Sequence, residues 1–182
     1  MADHNNNDSL FSRRDLVAGA GMLAMLGIQD AIAGGHTGDR PVLSEEEQLA
    51  LEKANAELVS NFVADYSTRD ADVLNKYVTD DIIYQITPGM KDIVGAEAFH
   101  KHNANMFEGL DKVEWVNLRQ FAVGQIVIND RIDDFFPYPG SKTPRMRFRV
   151  AGYFLIEDNK IKVWKDFPYP GSKQLIEPAP KA

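Results

Sequence analysis

Four stretches in the second half of the chain alternate polar and apolar residues over lengths that only a β-sheet uses: KVEWVNLRQFAVG, QIVINDRIDDFF, PRMRFRVAGYFLIE and KIKVWKDF. Turn signals at Gly124 and at Asp158-Asn159 separate them, and successive side chains of a strand point to opposite faces. Together they predict a meander of four long antiparallel strands with one face buried and one solvated. Such a sheet needs something to cover its buried face. The first half of the chain supplies helices for this. Ser44 and Glu47 form a capping-box pattern, and apolar residues then recur at helical spacing through Leu49, Ala54, Leu58, Phe62 and Tyr66, which predicts a helix over 45–67. Shorter helices are expected over 70–78 and, after Gly95, over 96–107, with DIIYQI as a strand between them. Helices followed by a meander make an α+β domain, a curved sheet folded over helices into a cone with an apolar interior and one open mouth.

The chemistry that this scaffold can carry follows from parity. Arg131 and Asp133 lie two apart on one strand and so share a face. Antiparallel succession makes that strand parallel to the one bearing Asp166, with the RMRFRV strand between them. The two acids then stand near one edge of the sheet on backbones about 9.6 Å apart, two strand spacings. An arginine can reach across the intervening strand and hold both carboxylates in its planar fork. The arrangement would keep one acid ionised as a general base and the other protonated as a general acid. The same spacing also fits a surface salt-bridge ladder, and parity by itself leaves both readings open.

At these residues the sequence resembles the limonene-1,2-epoxide hydrolase family of the SnoaL-like, NTF2-like superfamily. The resemblance runs from about Glu45 to Phe167 and rests on N-D-R-I-D at Asn129 to Asp133, on K-I-K-V-W-K-D at Lys160 to Asp166, and on Tyr84-Gln85. It implies an NTF2-like cone: three N-terminal helices on a curved mixed, mainly antiparallel sheet. It also implies cofactor-independent, one-step opening of a small apolar epoxide to a vicinal diol. Asp166 would deprotonate water, Asp133 would protonate the epoxide oxygen, Arg131 would bridge them and Tyr84 would contact the water. The substrate is expected to bind among Ile86, Met106, Leu110, Phe148, Val150 and Trp164. The family holds its water with a Tyr-x-Asn pair, whereas the position two after Tyr84 is Ile86. That departure brings in two alternatives: a cyclase or isomerase using the same acids, or a binding protein for a small hydrophobic ligand. Family members often pair through the outer face of the sheet, so a homodimer is expected.

The rest of the chain narrows the setting. SRRDLV, with Arg13 and Arg14 ahead of the apolar run Leu16 to Ile28 and the small residues Ala31-Ile32-Ala33, reads as a twin-arginine signal peptide over 1–33. The alternative for this stretch is an amphipathic first helix of the mature fold. A linker over 34–43, the domain over 44–176 and a tail over 177–182 would follow. The protein would then be exported folded, periplasmic or secreted, and free of the membrane after signal cleavage. A net charge of −7 argues against a nucleic-acid partner. With no cysteine, thiolate metal sites and cysteine nucleophiles are excluded. His100 and His102 are i and i+2 on a helix, pointing to different sides, so no metal site is expected from them. Trp115 is expected in the core, and Arg145, Arg147 and Arg149 on the outer sheet face. The heptapeptide FPYPGSK occurs at Phe136 to Lys142 and again at Phe167 to Lys173. Its prolines and glycine predict two stiff turns. Each leaves the C-terminal end of one of two parallel strands, so Tyr138 and Tyr169 are expected near each other on one rim, the alternative being two unrelated surface turns.

Overall fold

The computed structural model describes residues 42–176; the signal-peptide, tail and most linker assignments fall outside them. Helix α1 spans Glu45–Tyr66 and opens with the predicted capping box: the Ser44 backbone N–H donates to Glu47 Oε2 at 2.8 Å, and the Glu47 N–H returns to Ser44 Oγ at 3.3 Å. Helix α2, Ala71–Asn75, is capped by the Asp70 carboxylate, which accepts from the Asp72 and Val73 N–H groups. Strand β1 covers Val78–Gln85, β2 Ile93–Val94 and helix α3 Ala96–Glu108. The long strands are β3 Leu110–Val123, β4 Ile126–Pro137, β5 Arg145–Glu157 and β6 Lys160–Pro168, with a short β7 at Gln174–Ile176. None of the described helices is long and apolar enough to cross a membrane.

The sheet order is β2-β1-β6-β5-β4-β3, with β7 also pairing β5. All neighbours are antiparallel except β1 and β6, which run parallel. This is the mixed, mainly antiparallel α+β architecture anticipated for the cone. The β5–β6 turn places Asp158 at φ 49° and Asn159 at φ 59°, the double left-handed geometry that hairpins favour because it matches strand twist. The β3–β4 tip is clasped by α1: the Gly124 N–H donates to Glu52 Oε1 at 3.0 Å, and Asn55 Nδ2 to Gly124 O at 2.8 Å. This clasp seats α1 along the concave face. Phe62 there lies edge-on to Trp164, with ring centres 5.2 Å apart.

Both FPYPGSK copies form one turn. Ser141 N donates to Tyr138 O and Ser172 N to Tyr169 O, each at 3.0 Å, with Gly140 at φ 86° and Gly171 at φ 72°. Proline second and a left-handed glycine third is the type II pattern. The tyrosines do not meet as the repeat suggested. Tyr169 N bonds Arg149 O in mid-β5, whereas Tyr138 lies beyond the Phe135–Met146 pair near the start of β5. The second copy also does not reverse the chain. β6 and β7 are both antiparallel to β5, against Val150–Glu157 and Arg145–Arg147, so the turn is an interruption within one edge.

Candidate active site

Arg131, Asp133 and Asp166 meet on the concave face and are all buried, with Arg131 wholly inaccessible. Arg131 Nε donates to Asp133 Oδ1 at 2.8 Å, and Nη2 to Asp133 Oδ2 at 3.1 Å and to Asp166 Oδ2 at 2.7 Å. The guanidinium therefore bridges two carboxylates across β5, and the exposed-ladder reading of R-x-D is set aside for this pair. An outer-face ladder does exist, one residue out of phase. Arg145 and Arg147 hold Asp134, and Arg149 holds Asp130.

The bridge is possible because the residue in its path has no side chain. Gly152 on β5 is the register partner of both Asn129 and Asp166. A Cβ there would lie 2.4 Å from Asn129 Oδ1 and 2.5 Å from Arg131 Nη1. Gly152→Ala is thus expected to push Arg131 off Asp166, costing about 1–3 kcal/mol of stability, as overpacking does. Paired thermal melts of the variant and the wild type check this.

Asn129 extends the network. Its Oδ1 accepts from Arg131 Nη1 at 3.3 Å and from Gly152 N at 3.2 Å, while its Nδ2 donates to Asn117 Oδ1. Asn117 continues to Gln120, whose Nε2 reaches Ala56 O and Ser60 Oγ of α1. The buried cation is thereby tied to the helix layer as well as to the acids.

The two acids differ in their donors. Asp166 receives Arg131 on one oxygen, the Trp164 indole N–H on the other at 2.7 Å, and the Tyr84 hydroxyl. Asp133 has Arg131 alone. Burial pushes Asp133 up to about 6, against the pull of Arg131 and helped by the charge of Asp166. Burial also raises Asp166, where Arg131, Trp164 and Tyr84 oppose it. Three donors favour the ionised form at Asp166, and the poorer supply leaves the shared proton on Asp133. Tyr84 and Tyr66 are both raised well above the usual phenol value, by burial first and then by the nearby acids. Both stay neutral donors.

An apolar cavity of about 290 Å³ opens beside Asp133, lined by Met106, Gly109, Leu110, Phe135, Met146 and Phe148. Phe148 is the register partner of Asp133, and Phe135 follows it on the same face. Three residues nominated for the lining from sequence, Met106, Leu110 and Phe148, are in this wall. Three others are not. Trp164 is fully buried under α1, stacked on Tyr84 at 3.8 Å; the helix covers it, and its N–H serves Asp166. Val150 is buried beside Arg131 in the strand pairing. Ile86 lies past the end of β1 and packs on the core.

Sequence reasoning missed a polar pair next to the acids. The Tyr66 hydroxyl donates to Asn103 Oδ1, and Asn103 Nδ2 donates to Phe99 O at 2.9 Å. The ring of Tyr66 stacks on Trp115 at 3.6 Å, and the Arg131 guanidinium lies 4.5 Å from the centre of the Trp115 ring. His100 sits outside this cluster, 2.9 Å from the Asp72 carboxylate. The half-buried ring of His102 faces the edge of Tyr84 at 6.1 Å.

The sequence matches the limonene-1,2-epoxide hydrolase catalytic domain over residues 53–169. Among solved structures it is similar to an LEH-like epoxide hydrolase of M. tuberculosis, with 23% identity over 66% of this chain and 86% of that one and a TM-score of 0.58. It is also similar to SalBIII, an epoxide hydrolase/cyclase-like enzyme described in pyran ring formation in the polyether salinomycin. There the identity is 14%, over 68% of this chain and 96% of that one, with a TM-score of 0.61. No curated protein matches the chain.

Proposed function

We propose, from the premise that the chain belongs to the limonene-1,2-epoxide hydrolase family, that it opens a small apolar epoxide with water to give a vicinal diol. The observation that carries this reading is the buried Asp133–Arg131–Asp166 bridge beside an apolar cavity. Asp166 takes a proton from water as the new C–O bond forms. Asp133 gives its proton to the ring oxygen as the old C–O bond breaks, which suits a poor alkoxide leaving group. Arg131 keeps both acids close without repulsion, and Tyr84 orients the base. No cofactor is required by these steps. The test is turnover of a panel of cyclic and terpene epoxides in ¹⁸O-labelled water, with a singly labelled diol expected. A folded protein that yields no diol from any of them overturns the proposal.

A second reading is favoured by one residue. Ile86 stands where the family carries an amide, and its side chain cannot hold a water. A substrate with its own hydroxyl would then close a ring on the epoxide, as a cyclase does. The same labelled-water assay separates the two, because intramolecular closure gives a cyclic ether without label.

The pH dependence follows from Asp133. Its folded value is raised to about 6, so kcat/KM is expected to fall as pH rises through about 6 and the acid loses its proton. Folding stability moves in the same sense. The folded protein binds this proton more tightly than the unfolded chain does, so the Asp133 contribution is greatest below the ordinary carboxylate value and is lost as pH rises through about 6. Rate profiles and melts between pH 4 and 8 check both.

The proposed setting is an exported protein, periplasmic or secreted, working as a homodimer. Apolar residues on the outer sheet face, Val116, Phe121 and Val123, are more than half exposed, which supports pairing through that face. Light scattering of the purified protein tests it.

A further inference from the structure

We infer that the indole N–H of Trp115 is the hydrogen-bond donor for the substrate oxygen that Asp133 protonates. Trp115 is 8% exposed, and its Nε1 has no hydrogen-bond partner among the described residues. An indole nitrogen can only donate. Left unpaired in the interior it carries the desolvation penalty of a lost hydrogen bond, which marks it as a group kept for something other than packing.

Its location says what that something is. Trp115 on β3 is the register partner of Asp133 on β4, and both side chains lie on the concave face. The ring edge meets Phe135 at 6.3 Å, and Phe135 is a wall of the apolar cavity. The indole therefore neighbours both the acid and a wall of the substrate space.

The ring is also held in place. Tyr66 stacks on it at 3.6 Å with an interplanar angle of 10°, and the Arg131 guanidinium lies 4.5 Å from its centre. Tyr66 is itself pinned through Asn103 to the Phe99 carbonyl. The nearby acceptors serve other donors, Arg131 on both Asp133 oxygens and Tyr66 on Asn103 Oδ1, and none of them is bonded to the indole. This leaves the indole donor free for an oxygen brought in by the ligand.

In the reaction the water proton passes to Asp166, the water oxygen bonds to carbon, and the C–O bond of the ring breaks. Its electron pair stays on the ring oxygen, which takes the proton of Asp133. Trp115 donates a hydrogen bond to that same oxygen throughout and transfers no proton. Such a bond strengthens as negative charge develops on the oxygen, so it stabilises the transition state more than the bound substrate.

The inference rests on the epoxide-opening reading, and the experiment keeps the two separable. The chain has two tryptophans, so ¹⁵N-labelled protein gives two indole signals, and Trp115→Phe assigns them by deleting one. Cyclohexanol and methylcyclohexane are titrated as probes of similar shape, with and without an oxygen. The Trp115 indole proton is expected to move downfield with the alcohol and not with the hydrocarbon. Trp115→Phe, which keeps an aromatic ring against Tyr66, is expected to lower kcat on the order of 10²-fold with KM little changed. A Trp115 signal that responds equally to both probes overturns the inference, as does a folded Trp115→Phe that turns over at the wild-type kcat. If the wild-type protein opens no epoxide, the reading of function fails and the two titrations alone decide the role of Trp115.

Discussion

Asp166→Asn is expected to reduce kcat on the order of 10³-fold or more with the fold retained. A positioned acid or base contributes about 10² to 10⁴, and this change removes more than one such group. Asparagine has the shape of aspartate, and its carbonyl oxygen can still accept from Trp164 or Arg131, so the core is not emptied. It cannot take a proton from water. The second loss is indirect. With Asp166 neutral, the full charge of Arg131 acts on Asp133, whose value of about 6 depends partly on repulsion from Asp166. The Asp133 value then falls below about 6, so it is ionised through the mildly acidic range in which the wild type keeps its acid. Asp133→Asn, in contrast, leaves a carboxylate at Asp166 and removes only the acid. Stopped-flow turnover of both variants, with circular dichroism to verify folding, makes the comparison; an Asp166→Asn rate within tenfold of wild type would place the base elsewhere.

Arg131→Met is expected to have the largest effect on stability. Arg131 is fully inaccessible and neutralises two acids that are themselves buried. Its removal leaves carboxylates without a countercharge, and breaking a buried pair in this way costs about 3–5 kcal/mol. For a domain of this size that is a fall in Tm of about 10 °C or more. Part of the penalty is relieved when one acid stays protonated, so the melting temperature of the variant should recover towards acid pH. A Tm equal to the wild type's at pH 8 would mean that the bridge contributes nothing to the fold.

The acids were legible in the sequence because the period of a strand is strict: R-x-D must share a face, and a meander must place the third strand parallel to the first. What parity cannot supply is depth. Trp164 obeys the alternation and points to the concave face, but whether that part of the face is cavity or core depends on where α1 lies, and Phe62 covers it. Trp115 needed the β3–β4 register, which shifts between Asn117 and Arg119; past that irregularity the inward set changes from Trp115 and Asn117 to Gln120 and Ala122. Tyr66 and Asn103 meet only because the end of α1 and the middle of α3 are brought together over the sheet, which helical spacing does not encode. Gly152 did leave a signal. A glycine inside a long alternating strand marks a close approach, and here the approaching group is Arg131. The repeated heptapeptide makes the same turn twice but not a symmetric rim, since identical local sequence fixes a turn and not its height along the sheet.

The strand order carries a consequence for how the molecule comes into being. β6, which bears Asp166, is the last long strand to leave the ribosome, yet it lies between β1 and β5 in the middle of the sheet. Until it arrives, β1 has only the two-residue β2 for a neighbour, and the Tyr84 side of the sheet cannot join the β3–β4–β5 hairpins. The nascent sheet is therefore two separate pieces with raw edges, open to wrong pairing. The parallel β1–β6 contact joins segments far apart in sequence, and such pairings form slowly. Closure of the sheet and arrival of Asp166 are one event, so a partly folded chain carries Arg131 and Asp133 without the second carboxylate that completes the bridge.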